Sequence, residues 1–218
     1  MEPRTVVVVS GLPRSGTSLA MQMLYAGGLQ PLTDNLRTPD ADNPRGYFEF
    51  ERVKQLKTDK TWLADAGGKV VKIVHLLLME LPEDRPYKVV FMNRNLDEVV
   101  RSQATMLERN ARAGAQLLPD RLKAIYAQQL ATVSAWLAAR PNFEVLRVEH
   151  QALLANPEGE ASRIAAFIGT LPEGSRAMSE GSPALPDSSS GGGSTLDVSA
   201  MARAVDPKLH RNKSVGNS

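Results

Sequence analysis

The sequence TVVVVSGLPRSGTSLAMQML, residues 5–24, constrains the fold of this chain more than any other stretch. The β-branched run Thr5–Val9 has no polar alternation, which is typical of a strand buried on both faces of a parallel sheet. Gly11 and Gly16 lie in a loop, and an apolar helical pattern begins near Thr17. Glycines allow backbone amides to approach an anion, and the helix directs its free N–H groups and positive dipole end at the same point. The stretch therefore predicts a strand, an anion-binding loop and a helix.

The loop departs from the Walker A motif of nucleoside triphosphate enzymes at one position. Gly11 and Gly16 have the Walker spacing and Ser18 follows, but the place of the lysine is taken by Thr17. In Walker A loops that lysine contacts the β- and γ-phosphates. Because Arg14 supplies a cation earlier in the loop, the sequence favours a different anion.

Composition predicts one domain, residues 1–218, with a sizeable core, since 42% of the residues are hydrophobic. The formal charge is only +2, and no long basic run indicates binding to nucleic acid. The chain has no cysteine and three histidines, so we expect no metal site. The first strand follows Met1 closely and no apolar run has membrane-spanning length, so we expect a cytoplasmic protein without membrane insertion.

The loop sequence GLPRSGTS resembles the 5′-phosphosulfate loop of the sulfotransferase family, in particular of its compact bacterial branch. In that family the loop holds one end of the donor 3′-phosphoadenosine 5′-phosphosulfate (PAPS). The residues that would hold the 5′-phosphate are Arg14, Ser15, Gly16, Thr17 and Ser18. The resemblance also implies that Arg14, with help from Lys72, stabilises the charge on the bridging oxygen as it leaves.

A second motif, FMNRNLDEVVRSQ, resembles the 3′-phosphate element of the same family. There an arginine at a strand end and a serine on the following helix bind the 3′-phosphate, and the matching positions are Arg94 and Ser102. The planar guanidinium group suits a phosphate. The alternative role of Arg94 is a surface ion pair with Asp97 or Glu98.

The segment DNPRGYFEFE, residues 42–51, resembles an element that follows the first helix in many bacterial sulfotransferases. An acceptor hydroxyl needs a base as it attacks, and a carboxylate near the loop can supply one if burial raises its pKa. Glu49 is the first candidate. Its alternative role is an ion pair with Arg45 or Arg52 that holds the segment in place.

The run KVVKIVHLL, residues 69–77, predicts a strand that carries Lys72 and His75. Cytosolic sulfotransferases have a lysine, one residue and then a catalytic histidine, whereas two residues intervene here. Side chains three positions apart on a regular strand point to opposite faces, so both can face the donor only if the strand ends or bulges between them. Lys72 therefore either contacts an anion or extends to solvent at the strand edge, and His75 is either a base or a packed core residue.

Strands alternate with helices along the chain, which predicts a three-layer α/β/α domain with a central parallel sheet and the P-loop-like sulfotransferase fold. The stretch 174–194 is rich in Gly, Ser and Pro, and we expect it to be flexible. Near the end, Arg211 and Lys213 loosely resemble a family loop that helps to hold the 3′-phosphate. Their alternative is a solvated basic tail.

Together the resemblances imply transfer of a sulfonate group from PAPS to a hydroxyl or amine of a small-molecule or carbohydrate acceptor, without a metal, leaving 3′-phosphoadenosine 5′-phosphate (PAP). Loops 29–47 and 108–118 would then set acceptor specificity. Two alternatives stay open. One is a small-molecule kinase that uses ATP and magnesium, although the apolar run 87–93, a further predicted strand, ends in Asn93 and not in the carboxylate of a Walker B motif. The other is a nucleotide-binding module without turnover.

Overall fold

In a computed structural model of the chain, the described residues are 4–34, 36, 46–109, 118–170 and 195–205. The predicted flexible stretch 174–194 and the candidate ligands Arg211 and Lys213 lie outside them. So do most of loop 29–47 and residues 110–117 of the second loop. Within the described ranges, no helix is both long and apolar enough to span a membrane.

A parallel sheet forms the centre of the described structure. Its strands are Val6–Gly11 (β1), Val70–Val74 (β2), Tyr87–Asn93 (β3) and Phe143–Glu149 (β4). The strand order is β2-β1-β3-β4, and each neighbouring pair is parallel. Every residue of β1 is buried, as its unbroken apolar run predicts. Because the strands are parallel, their carboxyl ends share one edge of the sheet, where β1 enters the phosphate loop.

Helices cover both faces of this sheet. They are Thr17–Ala26 (α1), Leu96–Arg109 (α2), Pro119–Ala138 (α3), His150–Ala155 (α4), Pro157–Ile168 (α5) and Val198–Arg203 (α6). Between α1 and β2 the chain forms two short 3₁₀ helices, Glu51–Gln55 and Thr61–Asp65. The predicted strand over 69–77 ends at Val74, where the 3₁₀ helix His75–Glu80 begins.

The alternation of side chains along the strands divides the core into two clusters. Val7 and Val9 of β1 face one cluster, which contains residues of α1, α5 and α6. Val6 and Val8 face the other, which contains residues of the 3₁₀ helices and α3. The predicted three-layer α/β fold with a central parallel sheet is confirmed.

The short helix α6 holds the carboxyl end of α1. The backbone N–H of Asp197 donates to the carbonyl of Gly27 at 3.0 Å. The buried Met201 packs so closely on Gly27 that a Cβ there would lie 2.5 Å from its Cγ. Burying a side chain of this size contributes about 1.5–3 kcal/mol, so this contact helps to fix α1, whose other end begins at the phosphate loop.

Candidate functional site

The loop between β1 and α1 has the backbone geometry of an anion site. A turn forms where the N–H of Ser15 donates to the carbonyl of Leu12 at 3.1 Å. Arg14 and Gly16 have φ angles of 68° and 101°, in the left-handed region. Gly16 is the N-cap of α1, and neither a capping side chain among the described residues nor an acidic residue in the first turn occupies this end of the helix. The first N–H groups of α1 are therefore available to an anion.

Ser15 adds a hydroxyl group to this loop. Its side chain is 1% exposed, and its Oγ has no hydrogen-bond partner among the described residues. It lies close to the backbone of Gly11, where a Cβ would be only 2.5 Å from the Oγ. Buried hydroxyl groups are normally hydrogen-bonded, so this hydroxyl suits an oxygen of a bound anion.

His150 contacts the loop at Gly16, and the sequence does not indicate this contact. A Cβ on Gly16 would lie 2.6 Å from the His150 Cδ2, so any residue larger than glycine at this position would meet the ring. His150 is buried and is the first residue of α4. From the sequence it reads as a cap or loop residue. The sequence feature that could have indicated the contact is the position of His150 directly after β4, whose carboxyl end lies at the same sheet edge as the loop.

Arg14 joins the two sequence motifs. Its side-chain Nε donates to the Oγ of Ser102 on α2 at 3.0 Å, and its carbonyl accepts from Arg94 Nη1 at 3.1 Å. Arg94 stands just after β3, and Ser102 is buried. The predicted anion-binding loop and the motif that contains Arg94 and Ser102 therefore meet at one residue.

Arg94 forms an ion pair that the sequence predicts only in part. Its Nε lies 2.9 Å from a Glu98 oxygen, but the two side chains are only 8% and 5% exposed, so the pair is buried and not on the surface. The other Glu98 oxygen accepts from Gln151 Nε2 at 2.9 Å. Asp97, the alternative partner, pairs with Lys123 at 2.7 Å. The Nε of Arg94 donates to Glu98 and its Nη1 donates to the Arg14 carbonyl. Arg94 can therefore bind a phosphate only through the N–H groups that these two contacts do not use.

Glu49 and Lys72 meet on the other side of the loop. The Lys72 Nζ donates to the carbonyl of Tyr47 and lies 3.4 Å from Glu49 Oε1. The Lys72 and Glu49 side chains are 13% and 25% exposed. Arg52, one alternative partner of Glu49, pairs instead with Asp59 at 2.7 Å, and Arg45 lies outside the described residues. Lys72 therefore contacts the carboxylate of Glu49, the residue that is also the candidate base.

Hydrogen bonds from an earlier segment hold Glu49 in this position. The Glu49 carbonyl accepts from Thr33 Oγ1 at 2.8 Å and from the N–H of Asp34 at 3.3 Å. The Asp34 carboxylate in turn accepts from the N–H of Glu51 at 2.6 Å. Thr33 and Asp34 thus anchor the backbone from Glu49 to Glu51.

β2 ends between Lys72 and His75, the case in which the sequence allows both to face the donor, but the two side chains still lie on opposite sides of the sheet. His75 begins the 3₁₀ helix after β2, is 3% exposed, and its Nε2 lies 3.0 Å from Gln129 Oε1 on α3. Burial lowers the pKa of His75, opposed by its contacts with Gln129 and with the backbone of Gly11. Lys72 instead shares a strand face with Val70, on the side of α1. This geometry favours the packed-core interpretation of His75 over the catalytic one.

Comparison with known proteins gives one family. The family model of the sulfotransferase domain matches residues 4–179. No curated protein matches the chain. Among solved structures, the sulfotransferase domain of the Synechococcus PCC 7002 olefin synthase is 16% identical with a TM-score of 0.47, covering 77% of this chain and 74% of that one. A sulfotransferase domain from the curacin biosynthetic pathway is 12% identical with a TM-score of 0.42, covering 80% and 77%.

Proposed function

The chain belongs to the sulfotransferase domain family, and we propose that it transfers a sulfonate group from PAPS to a hydroxyl or amine of a small-molecule or carbohydrate acceptor. The observation that carries this proposal is the pair of hydrogen bonds at Arg14, which join a phosphate loop to a second anion motif. One nucleotide with a phosphate group at each end would use both motifs. A nucleoside triphosphate would use only the first.

The donor roles follow from the contacts in the loop. The N–H groups of Thr17 and Ser18 at the start of α1, with the Ser15 hydroxyl, would hold the 5′-phosphate. The terminal nitrogens of Arg14 would stabilise charge on the bridging oxygen, since Ser102 fixes the guanidinium group through Nε. Arg94 and Ser102 would bind the 3′-phosphate.

The transfer itself needs one base and one leaving group. A bond forms between the acceptor oxygen or nitrogen and sulfur, while the bond between sulfur and the 5′-phosphate oxygen breaks. The electron pair of that bond stays with PAP, and the acceptor proton passes to the Glu49 carboxylate. Lys72 stands opposite Val9 on the neighbouring strand, near the end of β1, and its ammonium group orients the carboxylate.

A melting experiment tests donor recognition. PAP at about a hundred times its dissociation constant raises the stability of the folded protein by about 2.7 kcal/mol, which shifts Tm clearly. The informative variant is Arg14→Asn, because asparagine tolerates the left-handed backbone but lacks the guanidinium group. We expect it to lose the response to PAP, whereas the control Arg101→Asn, at an exposed position of α2, retains it. A response to magnesium ATP and none to PAP would support a kinase instead.

Single-turnover cleavage of radiolabelled PAPS, with simple alcohols, phenols and amines added as acceptors, tests the assignment of the base. Glu49→Gln should slow cleavage by about 100-fold, because general base catalysis contributes at least that much. His75→Gln should have little effect on this rate, since His75 lies against α3. The opposite ranking would assign the base to His75. A wild-type protein that binds PAP but cleaves no PAPS would be a binding module without turnover.

A further inference from the structure

Phe48 has an unusual backbone conformation next to the candidate base. Its φ angle is 51°, and among the described residues only Arg14 and Phe48 have a positive φ without being glycine. Bulky residues rarely adopt this left-handed conformation, and residues that do so often lie at functional sites. Arg14 lies in the phosphate loop. Phe48 lies between Tyr47 and Glu49, the two residues that Lys72 contacts.

The conformation of Phe48 explains how one lysine contacts both neighbours. In an extended segment, backbone carbonyls lie near the plane of the strand while side chains stand out of it, so the carbonyl of one residue and a side chain two positions later diverge. The left-handed turn at Phe48 removes this divergence. The carbonyl of Tyr47 and the carboxylate of Glu49 therefore reach the same Lys72 Nζ.

Packing of the aromatic ring maintains this conformation. The Phe48 ring lies 5.9 Å from the ring of Tyr25 on α1, at an interplanar angle of 51°. It also packs against the core cluster on the α1 face of the sheet. A left-handed phenylalanine persists only where its surroundings fix it, and these contacts supply that restraint.

Building on the function proposed above, we propose that Phe48 is a positioning residue for the reaction, because its left-handed backbone holds the Glu49 carboxylate on Lys72 near the phosphate loop. Glu49 takes the acceptor proton, and Phe48 touches neither donor nor acceptor. The ring anchors the segment to α1, and the backbone turn aims the carboxylate.

Two substitutions separate the backbone turn from the ring. Phe48→Asn and Phe48→Val both remove the aromatic ring, but asparagine adopts the left-handed region readily whereas β-branched valine does not. We expect Phe48→Val to slow single-turnover PAPS cleavage by about 100-fold, the loss typical of a misplaced catalytic group. Phe48→Asn should retain more of the rate, losing about two- to tenfold for one ring contact. Both variants should retain the melting response to PAP, since the phosphate loop is unchanged.

A second measurement reports the contact directly and requires no turnover. The rate of reductive methylation of Lys72, followed by mass spectrometry, should rise in Phe48→Val and stay near the wild-type rate in Phe48→Asn. Equal behaviour of the two variants in both measurements would overturn the role of the backbone turn. Altered Lys72 methylation with unaltered cleavage would show that the contact exists but does not serve the reaction. A wild-type protein that binds no PAP and cleaves no PAPS with any of the added acceptors would contradict the proposed function, and the methylation rates would still report the geometry.

Discussion

Two ion pairs lie on either side of the phosphate loop, and they differ in almost every physical respect. Arg94 and Glu98 are four residues apart, 2.9 Å from each other and nearly inaccessible, at 8% and 5% exposure. Lys72 and Glu49 are 23 residues apart, 3.4 Å from each other and more accessible, at 13% and 25%. The first pair has a rigid environment. The second is longer, and water can reach it.

The difference indicates different tasks. A buried pair with additional hydrogen bonds costs desolvation energy and holds its groups in one arrangement, as Arg94 does when it donates to the Arg14 carbonyl. An accessible pair costs little to open, so a carboxylate in it can release its partner and accept a proton. The Arg94–Glu98 pair therefore holds its surroundings in one arrangement, whereas the Lys72–Glu49 pair can open. In the proposed function, the first pair belongs to the donor side and the second to the acceptor side.

Removing the charge of Glu98 should produce the largest loss of stability. Glu98→Gln leaves Arg94 buried without a counter-charge, and we expect the free energy of unfolding to fall by about 3 kcal/mol, measured by urea denaturation. Asp97→Asn is the matched control one residue earlier, because the Asp97–Lys123 pair is exposed at 58% and 44%. It should cost less than about 1 kcal/mol. Similar losses for both would show that burial of the Arg94 pair has no special energetic role.

Filling the space at Gly16 should produce the next largest effect, this time on donor binding. Gly16→Ala combines a left-handed φ of 101° with a contact of 2.6 Å to His150, so the loop must shift. We expect the affinity for PAP to fall by about 100-fold, or about 2.7 kcal/mol, by isothermal calorimetry. Gly28→Ala has a φ of 100° with no atom within 4 Å of its Cβ, and it should leave PAP binding intact. If Gly16→Ala bound PAP with the wild-type affinity, the loop would be able to accommodate the larger residue, and the claim that it is rigid would be wrong.

The pH dependence of stability tests the burial of His75 as a neutral imidazole. Burial lowers the pKa of His75 from its usual 6.5, against the contacts with Gln129 and Gly11. As pH falls below about 6.5, the unfolded chain takes up a proton that the folded protein does not, so stability is lost toward acid pH. The slope from one such group is at most about 1.4 kcal/mol per pH unit. His75→Gln should flatten the curve of unfolding free energy below this pH, and parallel curves would contradict burial of a neutral imidazole.

Removing the charge of Glu49 should produce the smallest change in stability. Glu49→Gln opens a partly exposed pair, and we expect a change in unfolding free energy below about 1 kcal/mol with an unaltered melting response to PAP. A decrease in unfolding free energy as large as that of Glu98→Gln would show that the two ion pairs contribute equally to stability. The accessible pair would then be structural.

Much of the fold could be predicted, and the residues of the candidate donor site could be placed on it, because their signals are local. The apolar run before Gly11, the loop spacing up to Thr17 and the helical periodicity after it give β1 and α1 directly. The Arg94 and Ser102 positions follow from one strand end and one helix. Where the local signal was ambiguous, the prediction failed. The run over 69–77 continues to look apolar after β2 ends, because the 3₁₀ helix that follows buries one side, including Leu78, in the core cluster that also contains residues of α3.

The acceptor side could not be predicted because its contacts join distant parts of the chain. Nothing near Glu49 in the sequence indicates Lys72 as its partner, and adjacent arginines are the obvious alternatives. The contact of His150 with Gly16 likewise depends on β4 and β1 ending at the same sheet edge. The left-handed conformation of Phe48 has no sequence signal, since it is imposed by packing on α1.

The most direct test of a donor site built from two joined anion motifs is a crystal structure of the protein soaked with PAP. We predict the 5′-phosphate at the start of α1, within hydrogen-bonding distance of the Ser15 hydroxyl, and the 3′-phosphate beside Arg94 and Ser102. PAP bound elsewhere, or a loop that excludes PAP and takes a nucleoside triphosphate with magnesium, would contradict it.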